Sequence, residues 1–185
     1  MVTIRDLLQD DLIIEDIAST DKMGVLREFA GLLKSRGRVA NEEQLLTVLA
    51  EREALGSTGI GDGVAIPHGK LSSIPETIVA FGRSRSGVDY QSLDAKPVYL
   101  FFLLVTPVDR PGDHLKTLAR ISRILKNPAL RADLKQAPHR QDIQRLIFEE
   151  DGKYPQPLAQ KLRSPSRIWR RSQTCWPAAG ASAGG

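Results

Sequence analysis

Residues 98–105 read Val-Tyr-Leu-Phe-Phe-Leu-Leu-Val, the longest apolar run in the chain, with Pro97 before it and Pro107 close after. Eight residues are too few to cross a bilayer, which takes about 20. The run does not alternate apolar with polar, so it is not a strand with one wet face. Its length and its Val, Leu and Phe content make it a central strand buried on both faces. Such a strand needs cover on both sides, and the rest of the chain has to supply it.

The flanking patterns do so. Leu12, Ile13 and Ile14, with Ile17 shortly after, predict a first strand. Ser19-Thr20-Asp21 offers an N-cap, and Leu26, Phe29, Ala30 and Leu33 then recur at helical spacing up to a stop at Gly37. A second helix is predicted from Asn41, with Gln44 as the far half of a capping box and a stripe of Leu45, Val48, Leu49 and then Arg52. Residues 78–84 predict another strand. A helix near Asp113 carries Leu118, Ile121 and Leu125. A short helix after Asn127-Pro128 carries Leu130 and Leu134, and a last helix carries Ile143, Leu146 and Ile147. Strand, two helices, several strands and then helices describe an α+β chain in α/β/α layers, a mixed sheet covered on both faces.

The net charge of +4 divides unevenly. Residues 1–151 hold 20 Lys and Arg against 22 Asp and Glu, a net −2, whereas residues 152–185 hold six basic side chains and no acid. The predicted domain, 1–151, therefore has no basic nucleic-acid footprint. Residues 152–185, rich in Pro, Ser, Gly, Ala and Arg, are expected to be a basic, unpacked tail. Acids near the N-terminus leave no room for a signal peptide, and Cys175 is the only cysteine. A cytoplasmic protein without a disulfide or a Cys-based zinc cluster is expected.

Five glycines fall between residues 56 and 69, in G-S-T-G-I-G-D-G-V-A-I-P-H-G. The spacing fails the dinucleotide fingerprint, because residues 64–66 look extended rather than helical. It also fails the P-loop, because Leu71 follows Gly69-Lys70. What remains is a turn-rich loop around Ser57, Thr58, Gly59, Gly61 and Gly69, with backbone N–H groups that can face an anion. It ends at His68, whose neutral imidazole is a competent nucleophile near pH 7. Gly63 and Gly69 are expected to leave room for an approaching partner, with Ile60 and Val64 as its apolar contacts. His114, four positions before Leu118 on the same stripe, is either a core histidine or a group at an anion-friendly helix start. His139 reads as a surface residue. Arg52 is either a cation favourable at a helix C-terminus or one that needs a buried anion. Two inward imidazoles, an inward arginine and loop N–H groups would accept a phosphate.

The stretch 52–71, R-E-A-L-G-S-T-G-I-G-D-G-V-A-I-P-H-G-K-L, closely resembles the signature of the enzyme IIA component of the bacterial phosphotransferase system, fructose/mannitol type. The resemblance covers roughly residues 3–150 and is strongest to the nitrogen-regulatory branch, whose members are free-standing chains. It implies that His68, in I-P-H, accepts phosphate from a phosphohistidine on HPr or its nitrogen-branch relative. It further implies that His114, in D-H-L-K-T-L, and Arg52, opening R-E, stabilise the phosphoryl group. No cofactor or metal is implied, and regulatory target proteins are. The alternatives are an enzyme IIA passing phosphate to the enzyme IIB of a sugar permease, a non-catalytic regulatory binding module, and a metal hydrolase. The last would add Asp62 or Asp113 to the two histidines.

Overall fold

The apolar run is the core of β6 (Val98–Pro107), and β6 is the spine of a six-stranded mixed sheet. The computed structural model describes residues 3–154. In chain order it comprises α1 (Ile4–Leu7), β1 (Leu8–Ile14), α2 (Lys22–Ser35), α3 (Glu42–Ala54), β2 (Gly59–Gly61), β3 (Val64–Ala65), β4 (His68–Leu71), β5 (Ile78–Val88), β6, α4 (Pro111–Ile124), α5 (Pro128–Gln136) and α6 (Arg140–Gly152). The sheet order is β1-β5-β6-β3-β2, with β4 also paired to β6. β5 is antiparallel to β6, while β3 and β4 run parallel to it. Side chains along β6 alternate between two cores. Phe101, Leu103 and Val105 meet Leu26, Phe29 and Leu33 of α2 and Leu45 and Leu49 of α3. Leu100, Phe102 and Leu104 meet Ile121 and Ile124 of α4, Leu130 and Leu134 of α5, and Ile143 and Ile147 of α6. The expected layers are present, helices on both faces of a mixed sheet.

The register next to β6 is the detail that positions the functional side chains. Val64 faces Leu100 and Ala65 faces Phe101; His68 then faces Leu104 and Leu71 faces Pro107, with no slip in between. β3 and β4 are thus two halves of one line, interrupted at Ile66-Pro67, where proline has no N–H to give the ladder.

Several boundaries differ from the sequence reading. The α1 turn and β4 were not predicted. Ile17 lies outside β1, yet is buried, and its N–H donates to the Arg83 carbonyl (2.7 Å). α4 starts at Pro111 rather than near Asp113, with proline in the first turn, where its missing N–H costs nothing. Only half of the capping box at Asn41 forms. Its side chain accepts the Gln44 N–H (3.0 Å), while the Gln44 side chain instead takes the Ser73 hydroxyl (3.3 Å). At the C-terminal end α6 runs to Gly152, and the Tyr154 hydroxyl donates to Glu150 (3.1 Å), so packing continues past Asp151. The remainder of the predicted tail, with Cys175, lies outside the described residues. Among the described residues no helix is long and apolar enough to cross a membrane.

Candidate functional site

His68 opens β4 beside the C-terminal half of β6, and the Leu104 N–H bonds to the Pro67 carbonyl (3.0 Å) just before it. Alternation along β4 turns Gly69 and Leu71 inward and leaves His68 half-buried and Lys70 exposed. Gly69 is required by packing: a Cβ there would sit 2.6 Å from Val48 Cγ1 of α3. The expectation that Gly69 opens space for a partner is therefore corrected. Its lack of a side chain instead lets β4 lie directly on α3, and so brings His68 within reach of Arg52.

Both ring nitrogens of His68 are engaged. Nδ1 lies 2.7 Å from the Ile66 carbonyl, an acceptor only, so Nδ1 carries the hydrogen and Nε2 the lone pair. Arg52 Nε–H donates to that lone pair at 3.0 Å, and its Nη1 donates to the Gly56 carbonyl (3.1 Å). Among the described residues Arg52 makes no ion pair, so its charge is available to a ligand. His114, the fourth residue of α4, lies with its ring centroid 5.4 Å from that of His68, and its Nδ1 is 2.8 Å from the buried Thr106 hydroxyl. The three residues singled out from the sequence are together. Burial, and then the nearby Arg52 charge, lower the His68 pKa despite its bond to Ile66. Burial and the facing His68, Lys70 and Arg52 push His114 down to about 4. Near neutral pH the site therefore holds two uncharged imidazoles under an arginine and a lysine.

The loop residues behave differently from the expectation. The Thr58 N–H and hydroxyl both turn to the buried carboxylate of Glu53, and the Gly59 N–H bonds to Ser57 Oγ (3.1 Å). Thr58 and Gly59 are thus corrected from anion donors to parts of an internal clasp, and Ser57 is its acceptor. Gly61 lies in β2 with φ +97°, a turn conformation that disfavours other residues. Val64 is only 1% exposed and offers no docking surface, while Ile60 is half exposed. Glu53 was missed as an organiser. It also accepts the Tyr90 hydroxyl (2.9 Å) and pairs with Lys22 Nζ (3.2 Å). Its place directly after Arg52 in the R-E pair was the available signal. Thr106, which orients His114, gave none within an apolar strand. Asp62 is paired with Arg131 (3.6 Å), and among the described residues no cluster of three His, Cys, Asp or Glu side chains forms. His139 is exposed, as expected.

A family model described as the phosphoenolpyruvate-dependent sugar phosphotransferase system, EIIA 2, matches residues 6–150. The chain belongs to this family. A nitrogen regulatory protein of Bradyrhizobium diazoefficiens is 38% identical over 141 residues, 76% of this chain and 91% of that one. The fructose-specific EIIABC component of Bacillus subtilis is 35% identical over 148 residues, 80% of this chain; the chain spans only 23% of that relative's length. The crystal structure of the nitrogen regulatory protein IIA-Ntr from Neisseria meningitidis superposes with a TM-score of 0.74 at 30% identity, covering 78% of this chain and 98% of that one. The chain is thus an EIIA-type phosphotransferase component whose relatives include both nitrogen regulatory proteins and fructose-type EIIA domains.

Proposed function

We propose that this chain is a regulatory phosphocarrier that takes a phosphoryl group onto His68 Nε2 from a phosphorylated HPr-type donor, in the nitrogen branch of the family. The observation that carries the reading is the bond from His68 Nδ1 to the Ile66 carbonyl, which leaves one nucleophilic nitrogen, beside the guanidinium of Arg52. Nε2 attacks phosphorus in line, the bond from phosphorus to the donor's imidazole breaks, and that imidazole leaves with the electron pair. Positive charge arising on the His68 ring is shared through Nδ1–H with the Ile66 carbonyl. Arg52 first gives up its bond to Nε2 and then turns the same Nε–H to a phosphoryl oxygen, neutralising charge where it develops. When the Thr106 hydroxyl donates to Nδ1, His114 carries its hydrogen on Nε2 and can serve as a second donor.

The regulatory part rests on likeness to the nitrogen regulatory proteins and on the surface. Leu55, three residues beyond Arg52, is 85% exposed, and Leu115, next to His114, is 67% exposed. A partner packing on these side chains meets a dianion once His68 is phosphorylated and has to desolvate it, which is costly. Phosphorylation then releases such a partner. The test is incubation with phosphorylated HPr-type donor. Wild type is expected to gain an acid-labile, base-stable phosphate, and His68→Ala to gain none. Undiminished labelling of His68→Ala would overturn the assignment, and transfer of the label onward to an enzyme IIB would favour a permease role.

A further inference from the structure

At the other end of β6 from His68 lies a cleft of about 600 Å³, lined by Arg83, Arg85, Tyr99, Lys135, Gln136 and Pro138 among others. Arg83 on β5 pairs with Leu100 and His68 on β4 with Leu104, so the two sites lie on opposite sides of β6 and are offset along it by four residues, about 13 Å at ~3.3 Å per residue. Arg83 is only 1% exposed. Part of its role is structural. Nε donates to the Glu15 carbonyl (2.8 Å), and Nη1 donates to the carbonyls of Leu134, Lys135 and Ala137, where a cation completes the C-terminal end of α5. That accounts for two of the three guanidinium nitrogens. Nη2 is buried and has no hydrogen-bond partner among the described residues.

The neighbours do not supply the missing acceptor. Arg85 and Lys135 line the same cleft, and among the described residues neither makes an ion pair. Lys135 Nζ instead sits 4.2 Å from the centre of the Tyr99 ring. Of the nearby carboxylates, Asp16 accepts the Arg85 backbone N–H (2.9 Å), and Glu15 is held by the N–H (2.9 Å) and guanidinium of Arg140. Residues 155–185 contain no Asp or Glu. Burial and then the adjacent Arg85 lower the Arg83 pKa, and the nearby Asp16 and Glu15 carboxylates oppose them only in part. Three cations thus surround a concave space with an aromatic wall and a proline wall. The cleft is open to solvent along much of its extent and is wider than a lone inorganic ion would fill.

We infer that this cleft binds a phosphorylated small molecule, its phosphate held by the exposed Arg85 and Lys135 beside the buried, incompletely partnered guanidinium of Arg83, and its body lying between Tyr99 and Pro138. This site is separate from His68 and does not depend on the phosphocarrier reading. Arg85 and Lys135 are exposed, so replacing them spares the fold, whereas replacing Arg83 would also uncap α5.

The test is calorimetric titration of the full chain with glucose 6-phosphate, AMP and inorganic phosphate, with glucose and adenosine as uncharged controls. Three proteins are compared: wild type, Arg85→Gln with Lys135→Gln, and Arg52→Gln with His68→Ala. At least one phosphorylated compound is expected to bind wild type and the Arg52/His68 variant equally. It should bind the Arg85/Lys135 variant about tenfold or more weakly, the scale of losing charge-assisted hydrogen bonds. The inference is overturned if nothing binds at millimolar concentration, if the uncharged controls bind as well, or if all three proteins bind alike. It is equally overturned if only the Arg52/His68 variant loses binding, which would place the ligand at the phosphoryl site.

Discussion

A histidine with one ring nitrogen held by a backbone carbonyl has a single nitrogen left to react, and at His68 that nitrogen lies under an arginine. Two predictions follow at this scale. In the proposed transfer Arg52 and His114 each supply one donor to the phosphoryl group, so Arg52→Gln and His114→Ala are each expected to slow phosphoryl acceptance by about 10²-fold, the scale of losing one preorganised donor. Rapid-quench labelling checks this, with circular dichroism to show that the fold survives; wild-type rates in both variants would make these residues structural only. The second concerns pH. His114 titrates near 6.5 unfolded but about 4 folded, and the His68 pKa is lowered too. The unfolded chain therefore binds protons that the folded chain refuses. This contribution to stability is complete above about pH 6.5 and is lost as pH falls towards 4. Urea unfolding at pH 7.5 and pH 5 is expected to show a larger loss for wild type than for His114→Gln, and equal losses would contradict the shift. His68, His114 and Arg52 were each legible in the sequence, through a motif and a stripe. The hydrogen-bond partner that selects Nε2 was not, because a backbone carbonyl leaves no mark on sequence.

At the scale of elements, the site depends on how closely β4 lies on α3. Gly69→Ala would place a Cβ 2.6 Å from Val48 Cγ1. Overpacking of this kind costs about 1–3 kcal/mol. The variant is expected to lose stability on that scale and to accept phosphate more slowly, because His68 moves relative to Arg52. Val48→Ala in the same protein should restore part of both losses, as read from thermal melts and labelling rates. A fully stable, fully active Gly69→Ala would show that the contact is not what seats His68. The sequence announced α2 and α3 through apolar stripes and caps, but gave no warning of β4. Its His-Gly-Lys-Leu has little strand propensity of its own, and the strand exists because β6 supplies the partner ladder in unbroken register. α1, only four residues long, is too short to show any period. The glycine-rich loop was misread because its N–H donors are claimed from within: the sequence shows Glu53 next to Arg52, and only the fold shows it under Thr58.

For the whole molecule, the uninterrupted apolar character of β6 dictated two cores, and both are present, one under α2 and α3 and the other under α4 to α6. Strand order and direction were not legible, since periodicity says which face is buried but not which neighbour lies alongside. The C-terminal limit was read slightly short. Tyr154 packs on the second core and takes the Arg123 guanidinium at 5.6 Å from its ring centre. Truncation after Tyr154 is expected to leave the melting temperature and phosphoryl acceptance unchanged, while truncation after Asp151 lowers the melting temperature; equal melting of the two shortened chains would show that Tyr154 contributes nothing. The central claim, that the intact chain takes its phosphate on one particular nitrogen, is tested most directly by phosphorus–nitrogen correlated NMR of the donor-phosphorylated, nitrogen-15-labelled protein. A single phosphorus signal coupled to Nε2 of His68 is the predicted result; coupling to His68 Nδ1, or to either ring nitrogen of His114, would contradict it.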